Sequence, residues 1–334
     1  MDILFEIIND TGIITLNRPK ALNALNLEMA ELFATKLNQW KNSNKIKRIL
    51  LQGEGKHFCA GGDVKSLVLS KNKNQIKKKF FKEEYKLNYL ISKFPKDYLS
   101  IWNGVVMGGG VGLSFYGNYR LVNESSKFAM PETIIGFFPD VGASYFLSNL
   151  PKNFGKYLGL TGDFITANEM LYFNIATHYF DLKNLDSVKE NFINYGKIET
   201  NRFEINKNSQ LIQNLNLIDE CFEGDIFSII NKLKDCKNEF SNKILSILNT
   251  RCPMSLMVTC ELLHRAKNKS LKECLQTEFQ LSQFIAYRDD FDNGVEAVLI
   301  TKKNDQKWIP SSIDFINKED INKLFDFNMK ELDI

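Results

Sequence analysis

Histidine is scarce in this chain, and its placement suggests neither a metal site nor a charge-relay site. The three present, His57, His178 and His264, are scattered through 334 residues without ligand spacing. A zinc hydrolase or a Ser-His-Asp mechanism therefore finds no support. The six cysteines, at 59, 221, 236, 252, 260 and 274, include no C-x-x-C pair. That argues against a disulfide frame or zinc site and for reduced, intracellular thiols. An excess of either charge is missing too: 43 Lys+Arg stand against 40 Asp+Glu, a formal +3, with no field to recruit nucleic acid or a membrane surface. No apolar run approaches a membrane span. The first residues, Met1-Asp2-Ile3-Leu4-Phe5, read as strand and not as a secretory signal or an Arg-rich leader.

A hydrophobic fraction of 44% over 334 residues suits one large packed core with an appendage. Ile3-Phe5-Ile7 alternates, Thr11-Gly12 turns, and 13–16 is a β-branched run, so the chain opens as a hairpin. Asn26 stands as N-cap before Met29, Leu32, Phe33, Leu37 and Trp40 at helical spacing. A buried strand follows at 48–52, and strand, helix, strand in that order suggests a right-handed crossover. The logic repeats: a helix at 80–92, a strand at 98–106, a glycine turn opening a helix through 115, and short strands at 119–123 and 127–130. Successive ββα-like units of this kind can stack as a spiral. The lysines at 71, 73, 77, 78, 79 and 82 read as a solvated helix face, with a phosphate contact as the other reading. Beyond about 195 an Asn/Lys-rich connection leads to helical periods over 211–233, 237–248, 255–266 and 271–287. The expectation is an α/β protein with a core over 1–200 and a helical region over 201–334.

Two glycine turns carry the chemistry. His57-Phe58-Cys59-Ala60-Gly61-Gly62-Asp63-Val64 follows one buried strand, and Met107-Gly108-Gly109-Gly110-Val111-Gly112 ends another. At the ends of neighbouring strands, each can aim one N–H at the same carbonyl oxygen, a two-donor oxyanion hole. Two carboxylates follow, Glu132 after Pro131 and Asp140 after Pro139. Either can serve as base or nucleophile, or more plainly cap a helix or face solvent. Gly108-x-Gly110-x-Gly112 lacks dinucleotide-site spacing, and no Gly-Lys-Ser/Thr marks a P-loop. Asp63 reads as a helix cap and Cys59 as a small packing residue. The Phe and Leu stripes of the C-terminal helices read as core or subunit interface.

These motifs resemble those of the crotonase (enoyl-CoA hydratase/isomerase) superfamily. The matching elements are Asn17-Arg18-Pro19-Lys20-Ala21-Leu22-Asn23-Ala24, Phe58-Cys59-Ala60-Gly61-Gly62-Asp63 and the turn at 107–112. Within that superfamily, Ala129-Met130-Pro131-Glu132-Thr133 with Phe138-Pro139-Asp140-Val141-Gly142 is similar to the 3-hydroxyisobutyryl-CoA hydrolases. So are Phe81-Lys82-Glu83-Glu84-Tyr85 and the tail elements Leu281-Ser282-Gln283, Asp290-Phe291, 294–300 and Trp308-Ile309-Pro310.

The resemblance implies a crotonase-type spiral of repeated ββα units with a C-terminal helical region that closes the site or packs between subunits of a homo-oligomer. The substrate it implies is a coenzyme A thioester, with CoA part of the substrate and no cofactor or metal. It implies a carbonyl oxygen held by the N–H groups of Gly62 and Gly109, and Lys20, Ala21, Leu22 and Ala60 at the CoA adenine end. Glu132 would be the nucleophile or the base toward water. Asp140 would accept from a 3-hydroxyl, and Glu84 would line the same pocket. Hydratases carry a glutamate where Gly112 stands; their second corresponds to Glu132, and Asp140 stands where they usually have glycine. Losing one carboxylate compromises hydration, whereas thioester hydrolysis needs one carboxylate and an oxyanion hole. The expected activity is hydrolysis of a 3-hydroxyacyl-CoA, foremost 3-hydroxyisobutyryl-CoA in valine breakdown. The alternatives are an enoyl-CoA hydratase or isomerase, and a non-catalytic member of the fold binding acyl-CoA or RNA; the near-neutral charge weighs against RNA. The resemblance implies a mitochondrial location.

Overall fold

The computed structural model describes residues 1–326 and 332–334. By internal contacts the chain separates into two compact units, neither continuous in sequence. Residues 1–63, 86–129 and 164–206 form the first, and 64–85, 130–163 and 207–334 the second.

Among the described residues the strands all lie in the first unit: β1 (Ile3–Ile8), β2 (Thr11–Leu16), β3 (Arg48–Gly53), β4 (Asp97–Trp102), β5 (Val105–Met107), β6 (Tyr119–Val122), β7 (Lys127–Ala129), β8 (Ile165–Thr166) and β9 (His178–Tyr179). The opening alternation becomes the antiparallel pair β1 and β2, with Ile3 opposite Leu16. Helix Leu27–Lys41 follows, and Asn26 caps it by accepting the Met29 N–H at 2.8 Å. One sheet runs β1-β2-β3-β4-β6-β9, parallel after its first pair. The other runs β5-β7-β8.

A second ladder makes the spiral explicit. Leu25 bridges Gly62, Cys59 bridges Val106, and β5 lies beside β7, all parallel. Each successive turn of chain therefore adds one position to each ladder, which is what stacked ββα units require. The apolar residues of the first sheet, Ile13, Leu50, Leu99, Ile101 and Leu121, are sealed by Phe180 and by Val188 and Phe192 of helix Leu185–Tyr195.

The continuous strand expected at 98–106 is instead β4 and β5, in different sheets. Between them Gly104 takes φ +59, a left-handed turn that an apolar run does not advertise. This break lets one segment serve both ladders.

The second unit is helical. The period expected over 211–233 is three helices, Gln210–Gln213, Leu215–Cys221 and Ile226–Cys236. Gly224 at φ +100 ends the run before the last, and Asp225 caps it by accepting from Ser228 N–H. Helix Leu271–Ile285 starts at a reciprocal Ser270–Glu273 capping box. The lysine run is not uniformly solvated. Lys77 is 1% exposed, donates to Ala286 O at 2.7 Å and pairs with Asp292 at 2.6 Å. Among the described residues no helix is long and apolar enough to cross a membrane.

Candidate active site

The two glycine turns meet in the first unit. Leu25 N–H donates to Gly61 O, and Asp63 N–H to Leu25 O, each at 2.8 Å. The ladder thus uses the residues flanking Gly62 and turns Gly62's own N–H to the opposite side. Helix Gly109–Gly112 opens directly after β5, so the Gly109 N–H lies in a first turn and has no partner within that helix. A Cβ on Gly61, which has φ +114, would stand 3.6 Å from Met107 O and 3.8 Å from Gly109 N. On Gly110 it would stand 2.6 Å from Cys59 O, an approach only glycine permits. Cys59 is wholly buried, as a packing residue should be.

The proposed CoA-contacting residues also lie in the first unit. Pro19–Ala21 is a single 3₁₀ turn, and Leu22 and Asn23 follow at φ +49 and +57. The Asn23 side chain holds this reversal, accepting from Arg18 N–H at 2.8 Å and donating to Glu54 O at 2.9 Å and His57 O at 2.7 Å. Ala60 N–H donates to Leu22 O at 3.0 Å, which brings Ala60 to the exposed shoulder formed by Lys20, Ala21 and Leu22. Asp63 pairs with Arg18 at 2.8 Å.

Glu84, Glu132 and Asp140 lie in the second unit, all three buried. Glu132 begins the 3₁₀ turn Glu132–Ile135, which its surroundings grip closely. Thr133 Oγ1 donates to Leu160 O at 3.2 Å, and Cys252 N–H to Thr133 O at 3.1 Å. Gly136 at φ +73 and Gly294 let this turn and helix Asp289–Val295 touch backbone to backbone. Cβ atoms there would lie 2.5 Å from Asp290 O and 2.5 Å from the Ile135 carbonyl carbon. The tail motif thus seats Glu132.

Asp140 does not cap a helix with its side chain. Gly142 occupies the cap of helix Ala143–Ser148, and the Asp140 carboxylate accepts from the Tyr85 hydroxyl at 2.7 Å. Glu84 sits at the inward face of helix Lys73–Ser92, contrary to the solvated face its charged neighbours suggest. Glu84 Oε1 and Glu132 Oε2 are buried with no hydrogen-bond partner.

This environment is buried, aromatic and rich in carboxyl groups. Phe137 stacks on Phe81 at 5.1 Å and on Phe138 at 4.4 Å, and leans on Phe291 at 5.4 Å. Burial, then Asp140, then Glu132 hold the Glu84 carboxyl well above its ordinary range. Burial and then Asp140 do the same for Glu132. Burial pushes Asp140 up to about 7, opposed by the Tyr85 hydroxyl and a backbone hydrogen bond. Three such groups cannot all be ionised near neutrality, so they share protons as a set. Asp140, with a phenol donating to it, is favoured to carry the charge.

Two residues here escape a sequence reading. Tyr85 stands inside a recognised motif, yet nothing in the sequence indicates that its hydroxyl reaches a residue 55 positions away. Glu278 is fully buried and accepts from Gly142 N–H at 2.6 Å, Ser144 N–H at 2.9 Å and Ser144 Oγ at 2.5 Å. Burial raises its carboxyl to about 8 against these hydrogen bonds. Its signal was an acid on the apolar stripe of Cys274, Leu275, Leu281 and Ile285.

Residues 11–325 match the family model for enoyl-CoA hydratase/isomerase. The chain is 37% identical over 345 residues to the mitochondrial 3-hydroxyisobutyryl-CoA hydrolase of Homo sapiens, covering 97% of this chain and 88% of that protein. It is also 37% identical over 356 residues to the protein of that name in Dictyostelium discoideum, covering 99% and 93%. Among solved structures, a carnitinyl-CoA dehydratase from Mycobacterium thermoresistibile superposes with a TM-score of 0.92 at 34% identity, over 99% of this chain and 98% of that one. An enoyl-CoA hydratase from Rhodobacter sphaeroides gives a TM-score of 0.92 at 27% identity, over 98% and 97%. With residues 11–325 inside the family and the fold shared at this level, the chain belongs to the enoyl-CoA hydratase/isomerase family and has the crotonase fold.

Proposed function

We propose that this protein hydrolyses a 3-hydroxyacyl-CoA thioester, with 3-hydroxyisobutyryl-CoA, an intermediate of valine breakdown, as its substrate. The observation that carries this reading is the buried carboxyl set of the second unit. Unpaired oxygens on Glu84 and Glu132 are hydrogen-bonding capacity kept open in a buried site, where each would otherwise be costly. The names of the curated relatives support the acyl group.

In the proposed reaction the thioester carbonyl oxygen is received by the Gly62 and Gly109 N–H groups. Glu132, ionised by passing its proton to another member of the carboxyl set, adds to the carbonyl carbon. Collapse breaks the C–S bond, and the departing CoA thiolate takes a proton from the carboxyl set. Water then cleaves the mixed anhydride: one of its protons replaces the one the carboxyl set gave to the thiolate, Glu132 returns as carboxylate and the hydroxy acid is released. A general-base variant, in which Glu132 deprotonates water directly, has the same stoichiometry; hydroxylamine yields a trapped hydroxamate only if the anhydride forms. Asp140 accepts from the substrate 3-hydroxyl, Glu84 lines that pocket, and Lys20, Ala21, Leu22 and Ala60 contact the CoA adenine end.

A hydratase reading has the names of the structural neighbours behind it. Gly112 disfavours it, because it leaves Glu132 without the second carboxylate that hydration uses. Thiol release from 3-hydroxyisobutyryl-CoA, 3-hydroxypropionyl-CoA and crotonyl-CoA separates the readings. Release from the hydroxyacyl thioesters is expected; loss of the enoyl absorbance without thiol release would establish a hydratase, and neither signal a binding protein. A mitochondrial location is proposed from the relatives' names.

A further inference from the structure

Helix Leu271–Ile285 carries Glu278 on its buried face. A carboxylate in such a place is costly unless nearly every lone pair is used. Its three donors are the Gly142 N–H, the Ser144 N–H and the Ser144 hydroxyl. The two N–H groups lie at the start of helix Ala143–Ser148, where backbone donors lack partners within their own helix and Gly142 has no side chain to cap them. Glu278 therefore caps this helix from another element.

The turn it holds is strained. Val141 takes φ +56 and Gly142 φ +82 in succession. For a β-branched residue the left-handed region is a genuine outlier, and it persists only where the surroundings over-determine it. Asp140 is the residue immediately before, and its carbonyl accepts the Ala143 N–H at 2.8 Å across the same turn. The direction of the Asp140 carboxylate is thus set by a backbone conformation that Val141 would not adopt unaided. The carboxylate itself is met by the Tyr85 hydroxyl, and the Tyr85 ring packs edge-on against Phe279 at 6.3 Å and 84°. The neighbours Glu278 and Phe279 support Asp140 from two sides, one through the backbone turn and one through the phenol.

We infer that Glu278 is a positioning residue that fixes the strained Asp140–Val141–Gly142 turn and so aims the Asp140 carboxylate at its ligand. The kinetic consequence rests on the hydrolase reading; the structural claim does not. Glu278→Gln keeps the volume and replaces one acceptor with an amide that faces backbone donors. Amide exchange at Gly142 or at Ser144 should then quicken severalfold to about tenfold, the loss of about one hydrogen bond. On 3-hydroxyisobutyryl-CoA, kcat/KM should fall on the order of tenfold to a hundredfold, and on isobutyryl-CoA, which lacks the hydroxyl, by clearly less. Combined with Asp140→Asn it should cost little beyond Asp140→Asn alone, because both remove one function. Equal losses on both thioesters that multiply with Asp140→Asn would reduce Glu278 to a general stability role and overturn the inference. Unchanged exchange at Gly142 and Ser144 would overturn it too, even if the wild type released no thiol, a result that on its own would refute only the hydrolase reading. If Glu278→Gln fails to fold, Ser144→Ala removes one contact and should give a smaller loss with the same substrate dependence; no such dependence would count against the inference.

Discussion

Replacing Asp140 with asparagine should make the protein more stable at neutral and alkaline pH while impairing it as a catalyst. The folded carboxyl titrates at about 7, against an ordinary value of 3.8. A raised acid contributes stability that is fully present below its unfolded value and is lost as pH rises through the folded one. The rise is about three units at about 1.4 kcal/mol each, so ionising Asp140 costs the folded state about 4 kcal/mol above pH 7. Asparagine carries no charge to desolvate, and its carbonyl can still accept the Tyr85 hydroxyl. In urea denaturation the stability difference between Asp140→Asn and wild type should be near zero at about pH 4. It should grow by about 1.4 kcal/mol per unit through the interval and level off near 3–4 kcal/mol by about pH 8. That is a large share of the roughly 5–15 kcal/mol that holds a folded protein together, and a common trade at functional sites. A difference that stayed flat with pH would refute the claim that burial raises the Asp140 carboxyl. Because Glu84, Glu132 and Glu278 are raised in the same direction, wild-type stability itself should decline over this window.

Other variants probe the scaffold and the proposed hydroxyl-recognising group. Tyr85→Phe removes the donor that lowers the Asp140 carboxyl, so the rising limb of the pH profile should move to higher pH and kcat/KM on the hydroxyacyl thioester should fall about tenfold. An unmoved limb would mean that Asp140 does not govern it. Gly136→Ala places a Cβ 2.5 Å from Asp290 O at φ +73, and should cost about 2–4 kcal/mol in denaturant unfolding with activity falling in step. Gly110→Ala meets the Cys59 backbone at 2.6 Å; the shift it forces should cost about 1–3 kcal/mol and lower kcat more than KM.

Much of the fold was legible because local patterns and tertiary structure agree. The alternation over 3–16 is the β1–β2 hairpin, and Asn26 caps the helix that follows. Where the pattern misled, a conformation or partner distant in sequence decided the outcome. An unbroken apolar run could not reveal that Gly104 would split it between two ladders. Lys77 and Glu84 stand among charged neighbours, and only Asp292, Ala286 and the carboxyl set determine that these two turn inward. Pro139-Asp140 reads locally as a helix start, while the actual cap comes from Glu278, more than a hundred residues later. The motif residues identify candidates for chemistry, but the groups that orient them, Tyr85 and Glu278, become visible only in three dimensions.

The central claim is that Glu132 drives cleavage of a 3-hydroxyacyl-CoA thioester. Its most direct test is the initial rate of thiol release from 3-hydroxyisobutyryl-CoA by wild type and by Glu132→Gln, a change that keeps the shape and removes the carboxylate. The wild type should release thiol at a rate proportional to enzyme, and the variant should be slower on the order of a thousandfold. A variant that retained wild-type turnover, or a wild type that released no thiol from this thioester, would contradict it.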